Sequence, residues 1–452
     1  MKGKDMTVGS PTKIILSFAF PVFIGNIFQM LYNMIDTIIV GKFVGTKALA
    51  AVGSTGTISF LIIYFLVGLT SGFTVLTAQR FGAGDIAGTR KTVGTGGVLA
   101  IVFSLIITII SIVFMKPLLT IMNTPADIYK DAYDYIIIIC VGIFAQILYN
   151  MAASILRALG NSKVPLYFLI LSALLNVILD LLLIIVFHMG VAGAAYATVI
   201  SQGVSGLLCL VYIMLRVPIL HLEKSDWKID LHVAKMQIAI GIPMALQFSI
   251  TAIGTIIVQA ALNTLGSMVV AAFTAANKIE MISVQFMIAL GTAMATFCAQ
   301  NMGAGKIGRI KRGFRITTLI GVVYSVVAGI AIMFVGKYLT ILFVSQDVEK
   351  IIGNVDIYLK CVGFFFIPLL FIFIYRNGLQ GMGYGFMPMM AGVAELVGRV
   401  LVAVFASHQK SYVGICLASP MAWIFAGLLL LFFYLKSMKK LKQDGRFDFS
   451  EN

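Results

Sequence analysis

The sequence predicts an all-α membrane protein of twelve transmembrane helices in two pseudo-symmetric six-helix lobes. Three observations predict it. The first is composition: 60% of the 452 residues are hydrophobic and 11% are charged, whereas a soluble domain carries about a quarter charged residues. The second is that apolar runs of about 20 residues recur along the chain without period-2 alternation, so helices and not barrel strands must span the bilayer. The third is duplication. Ala78-Gln79-Arg80-Phe81-Gly82-Ala83-Gly84 returns 221 residues later as Ala299-Gln300-Asn301-Met302-Gly303-Ala304-Gly305. Pro21 pairs with Pro243, Pro165 with Pro388, and Gly193, Ala197 and Thr198 with Gly414, Ala418 and Ser419. A fixed internal period marks a repeat architecture, and duplicated membrane halves are a common plan of secondary transporters.

The first six spans are read at 14–40, 48–76, 93–115, 132–155, 164–188 and 191–214. The second six lie at 237–262, 269–298, 315–336, 356–378, 387–406 and 412–435. This divides the chain into an N-terminal lobe (1–214), a polar cytoplasmic linker (215–236), a C-terminal lobe (237–435) and a basic cytoplasmic tail (436–452). The short, lysine-bearing N-terminus runs into a span too long for a signal-peptide core, so that span is expected to be retained.

The net charge of +15 could suggest nucleic acid, but its placement does not. Loops on one side hold 23 Lys and Arg, and those on the other hold seven. The positive-inside rule then places both termini in the cytoplasm of a bacterial or archaeal plasma membrane. Six spans per half return the chain to its starting side, so the repeats are parallel.

The two AQxxGAG segments fall at cytoplasmic helix ends, where glycine suits a tight exit. Gly190, Gly193, Ala197 and Ser201 form a small-residue face for close helix packing. The five cysteines (140, 209, 298, 361, 416) show no paired spacing and read as small hydrophobes. The four histidines are scattered, and there is neither a P-loop nor a nucleophile elbow. No metal site, cofactor or enzymatic activity is expected.

Ionisable groups in lipid are costly and need a reason. In span 1, Asn26, Gln29, Asn33 and Asp36 step by three, four and three, which places them on one helical face beside Tyr32. In span 5, Ser172, Asn176 and Asp180 step by four. Asp36 and Asp180 lie roughly 6 and 12 Å below the outer boundary at the helical rise. Tyr135 and Thr198 fall in the same half of the bilayer. These groups can converge into an oxygen-rich pocket, in which two carboxylates must hold a proton or capture a hard cation. The competing reading is a hydrogen-bond network that only holds helices together.

In the second half, Glu280 with Met281, Met287 and Phe365 is the candidate substrate cavity, since flexible thioethers accept many shapes. Lys278 lies two residues from Glu280 and does not share its face. Glu395 and Arg399 are spaced for an intrahelical pair. Lys360 and Arg376, near span ends, are expected to snorkel.

Taken together, Gly9-Ser10-Pro11, Pro21 with Asn33-Met34-Ile35-Asp36, the AQxxGAG segment, Leu156-Arg157-Ala158-Leu159-Gly160-Asn161, Asn176 with Asp180, and Gly190-Val191-Ala192-Gly193-Ala194-Ala195 resemble the multidrug and toxic compound extrusion family, in its prokaryotic branch with an acid in helix 1. The resemblance implies antiport of amphipathic, often cationic, compounds against protons or sodium, through a cleft that alternates sides. It implies that Asp36, Asn176, Asp180, Tyr135 and Thr198 bind the coupling cation and that Pro21 is a hinge. The partners it implies are a small amphipathic substrate and the lipid bilayer, with no nucleic acid, and a monomer is the expected state. Residues 237–262 hold no acid, so a second-lobe ion site on that helix is not expected. The weighed alternatives are a flippase for lipid-linked saccharides, which favours a more cationic cleft, and a membrane-embedded transferase, which needs a clustered nucleophile.

Overall fold

The computed structural model describes residues 4–122, 124–342, 348–445 and 447–450. No strand occurs among them, and the one β-bridge pairs Lys306 with Asp448. Fifteen α-helices follow one another: α1 Pro11–Ile39, α2 Thr46–Gly82, α3 Ile86–Ile121, α4 Tyr129–Val141, α5 Ile143–Ala158, α6 Lys163–Leu181, α7 Gly190–Arg216, α8 Leu231–Asn263, α9 Ser267–Gly303, α10 Ile307–Phe334, α11 Val348–Phe364, α12 Phe366–Gly381, α13 Phe386–His408, α14 Tyr412–Cys416 and α15 Ala418–Asp444. Among the described residues, ten spans are long and apolar enough to cross a membrane, and twelve result when each of two bent pairs counts as one.

The bent pairs are α4 with α5, at 45°, and α11 with α12, at 50°. They break at equivalent places, Gly142 and Phe365. At Gly142 the close approach of α7 has a steric basis, because a Cβ there would lie 2.2 Å from Val199 Cγ2. Helices also outrun their apolar cores. Span 3, read at 93–115, lies within an α3 of 36 residues whose N-cap is Asp85, whose side chain accepts from Gly88 N–H. The basic tail is mostly helix, since α15 runs to Asp444.

Both AQxxGAG segments end their helices in the same way. In the first, Asp85 N–H donates to Arg80 O and Gly84 N–H to Phe81 O, with Gly84 at φ +72°. In the second, Lys306 N–H donates to Asn301 O, with Gly305 at φ +71°. These are Schellman closures, and the left-handed residue is the motif's last glycine in each copy.

The chain forms two compact units. One holds 1–5 and 24–245, the other 6–23 and 246–452. The boundaries therefore fall inside α1 and α8, two residues beyond Pro21 and Pro243, and not in the polar linker. The cause is visible in each unit separately. In the first, the linker and the start of α8 are fastened to α2 and α3: Lys91 Nζ donates to Lys228 O at 3.0 Å, and Gln237 Nε2 donates to Phe73 O and Thr92 O at 3.0 and 2.8 Å. In the second, Met6 N–H donates to Gln300 Oε1 at 2.8 Å, and Arg309 donates to the carbonyls of Met6 and Gly9 at 3.2 and 3.0 Å. Ile14, Ile15 and Phe18 then enter that unit's hydrophobic core with Phe297, Phe314 and Phe366.

Many large side chains on the long helices point outward. On α3, Leu105, Ile109, Val113 and Phe114 are about 60% exposed, a face that only lipid or a partner can cover.

Candidate cation-binding site

The pocket forms in the first unit where α1, α4, α6 and α7 meet. Asp180 and Asn176, one turn apart on α6, are both fully buried. With its amide turned so that both ends find partners, Asn176 donates N–H to Asp180 Oδ2 at 3.1 Å and accepts from Thr198 N–H at 3.3 Å. The carboxyl groups of Asp36 and Asp180 lie within hydrogen-bonding reach of one another. The Tyr32 hydroxyl bonds the Thr198 side chain, and Tyr135 stands within electrostatic range of both acids. Each carboxyl also keeps one buried oxygen, Asp36 Oδ1 and Asp180 Oδ1, with no hydrogen-bond partner. Two carboxyls in contact and two unused oxygens form a hard, anionic donor set, suited to a proton or a small cation.

Local backbone structure sets this arrangement. Beyond Asp36, α1 widens into a π-helical turn over Val40–Val44, and beyond Asp180, α6 widens likewise over Leu182–Val186. The two turns pack together around Val40, Ile184, Val191 and Ala194. π-turns recur at functional sites because they re-aim side chains within a helix.

Asp36, Tyr135, Asn176, Asp180 and Thr198 thus come together as read from the sequence, and Tyr32, read only as flanking the stripe, joins them. The rest of the helix 1 stripe does not. Gln29 and Asn33 are exposed, and Asn26 is half-buried with its Nδ2 unpartnered. Pro21 sits within continuous α1.

The second-half candidates separate. Glu280 is buried and accepts from Tyr358 Oη and from Asn277 Nδ2. Met281 is 46% exposed, while Met287 is fully buried in the hydrophobic core and packs there. Phe365 lies at the α11–α12 break. Arg376 does not snorkel. It is buried and donates to Glu395 Oε2 at 2.7 Å, while Arg399 donates to Glu395 Oε1 at 2.7 Å. Spacing exposed the Glu395–Arg399 pair, but the third member comes from another helix, and no periodicity could supply it. Lys360 pairs with Asp356 on its own helix.

The duplicated helical bundle defines a multi-pass membrane protein. The MatE family profile matches residues 21–182 and again 243–405, reproducing the internal repeat, and the chain belongs to this family. It is 31% identical over 381 residues to the probable multidrug resistance protein YpnP of Bacillus subtilis (strain 168), covering 84% of each chain. It is 26% identical over 441 residues to the probable multidrug resistance protein YoeA of the same organism, covering 95% of this chain and 94% of that one. A crystal structure of MATE in complex with MaL6 shares the fold at TM-score 0.92, with 24% identity over 98% of this chain and 100% of that chain.

Proposed function

We propose that this protein is a secondary active antiporter that exports amphipathic, cationic drugs or toxins in exchange for protons or sodium, by alternating access of its two lobes. The observation that carries the coupling is the contact between the Asp36 and Asp180 carboxyls, surrounded by neutral groups only. Tyr32, Tyr135, Asn176 and Thr198 face the pair, and none of them can balance two negative charges. A mobile cation must do so. The direct carboxyl contact favours a shared proton, because sodium would sit between the oxygens and part them. The relatives named as multidrug resistance proteins support the substrate class.

When the pair is loaded, Asp36 and Asp180 draw α1 and α6 together. When it is unloaded, their like charges favour separation. That difference is the differential interaction through which a cation shifts a conformational equilibrium. The excess of Lys and Arg on one side supports a topology with both termini in the cytoplasm of a plasma membrane.

The test is efflux of a fluorescent cationic dye from proteoliposomes under separately imposed pH and sodium gradients. The wild type exports under one of them, and Asp36→Asn reduces export to the level of empty vesicles while keeping its elution volume. Undiminished export by Asp36→Asn overturns the reading. Export driven by sodium alone overturns the proton assignment and retains the site.

A further inference from the structure

The repeat register allows the pocket to be compared with its counterpart in the second unit. Pro165 and Pro388 set an offset of 223 for α6 and α13, so Ser172, Asn176 and Asp180 correspond to Glu395, Arg399 and Ala403. The helix breaks at Gly142 and Phe365 give the same offset, and it takes Tyr135 to Tyr358. Pro21 and Pro243 set 222 for α1 and α8, so Tyr32 and Asp36 correspond to Gly254 and Val258. The structure agrees with this register. Asp36 and Asp180 touch in the first unit, and their counterparts Val258 and Ala403 lie in one buried apolar cluster in the second.

The second unit has therefore lost both carboxyls of the pair and gained a guanidinium at the place of Asn176. Arg399 is 4% exposed and donates to Glu395 Oε1 at 2.7 Å and to Thr251 O at 3.4 Å. Gly254 makes room for it, since a Cβ there would stand 2.8 Å from Arg399 Nη1. In the first unit the same position is the large Tyr32. The groups facing this region are Glu280 and Asn277 from α9, Tyr358 from α11, Arg376 from α12 and Glu395 from α13. Glu395 meets both guanidinium groups directly, and Arg399 also stands within electrostatic range of Glu280, so this cluster carries its own fixed counter-charges.

We propose that Arg399 is a tethered cation that fills, in the second lobe, the role an exchangeable cation plays between Asp36 and Asp180 in the first. Glu280 and Glu395 then take up no coupling ion during transport, and the first unit holds the chain's single exchangeable cation site. Arg399 is a positioning residue, setting the charge of a lobe whose carboxylates would otherwise compete for the ion. This inference rests on the antiport reading, and its test separates the two.

The test uses the purified full chain in detergent, with thermal unfolding followed in sodium chloride, choline chloride and millimolar methylguanidinium chloride, at several pH values. The wild type is stabilised by sodium or by lower pH and is indifferent to methylguanidinium. Asp36→Asn/Asp180→Asn loses the sodium or pH response entirely. Arg399→Ala gains an upward shift with methylguanidinium that the wild type lacks, and Arg399→Lys does not. A folded Arg399→Ala variant that is indifferent to methylguanidinium overturns the proposal. So does a response in Asp36→Asn/Asp180→Asn that a further Glu280→Gln removes, an arm that remains available where Arg399→Ala fails to fold. A full wild-type response in Asp36→Asn/Asp180→Asn that survives Glu280→Gln overturns the antiport site instead.

Discussion

Gly72→Ala should destabilise the protein, although alanine is the better helix former. Gly72 lies in α2 and meets α8 within the first unit. A Cβ built there stands 2.4 Å from Gly241 Cα, 2.9 Å from Gly241 N and 3.2 Å from the Ile240 carbonyl carbon. All three obstacles are backbone, so no side chain can swing aside. Ordinary contact begins at 3.4 Å, which requires the two helices to part by at least 1.0 Å. Alanine gains about 0.5–1 kcal/mol of helix propensity over glycine. Overpacking costs about 1–3 kcal/mol, and prying two backbones apart belongs at the upper end, so the steric term wins. Gly53, also in α2, supplies the control, since nothing lies within 4 Å of its Cβ position. Gly53→Ala should be neutral or stabilising. Gly241→Ala should fall between the two, because its nearest obstacle is the Phe73 side chain at 2.7 Å, with backbone no closer than Leu69 O at 3.2 Å. Thermal unfolding of the three detergent-purified variants should order them Gly53→Ala above Gly241→Ala above Gly72→Ala. If Gly72→Ala unfolds at or above Gly53→Ala, the steric argument fails.

Glu395→Gln removes the anion shared by buried Arg376 and Arg399 and should cost about 3–5 kcal/mol of stability, read as a lower unfolding midpoint. Lys47→Ala, which breaks the exposed 3.8 Å bridge to Asp127, should cost no more than about 1 kcal/mol. Deleting the chain beyond Gly445 uncaps α10, where Gly308 N–H donates to Asp448 O at 3.0 Å, and should speed proteolysis near Lys306. Hydrogen bonds from Ser450 to the Asp448 carboxyl, with Lys306 nearby, hold it below the usual carboxylate range. Its contribution to tail docking is therefore complete above the ordinary carboxylate range and lost as pH falls through the depressed value. Limited proteolysis across that interval should cut the tail modestly faster in wild type, since the backbone bonds from Asp448 to Gly305 and Gly308 do not titrate, while Asp448→Asn should show no such pH step.

What the sequence discloses and what it conceals follow from how each interaction is specified. Asp36 and Asp180 were legible because a carboxylate inside an apolar run is conspicuous and the helical rise gives its depth. The prolines and the terminal glycines of the two AQxxGAG segments were legible because they act through their own backbone. Arg376 was misplaced because its position near a span end suggested water, whereas its fate depends on Glu395 in another helix. The division of α1 and α8 between units was hidden for a similar reason. Nothing local to Pro21 or Pro243 reveals that Met6 is held by Gln300 and Arg309. Residues that shape the backbone recur at the repeat period: the prolines, the left-handed glycines and the bends at Gly142 and Phe365. The buried polar residues of the pocket do not, since Asp36, Asn176 and Asp180 become Val258, Arg399 and Ala403. Duplication therefore accounts for the symmetric fold, and later divergence at a few buried positions accounts for two lobes of unlike electrostatics.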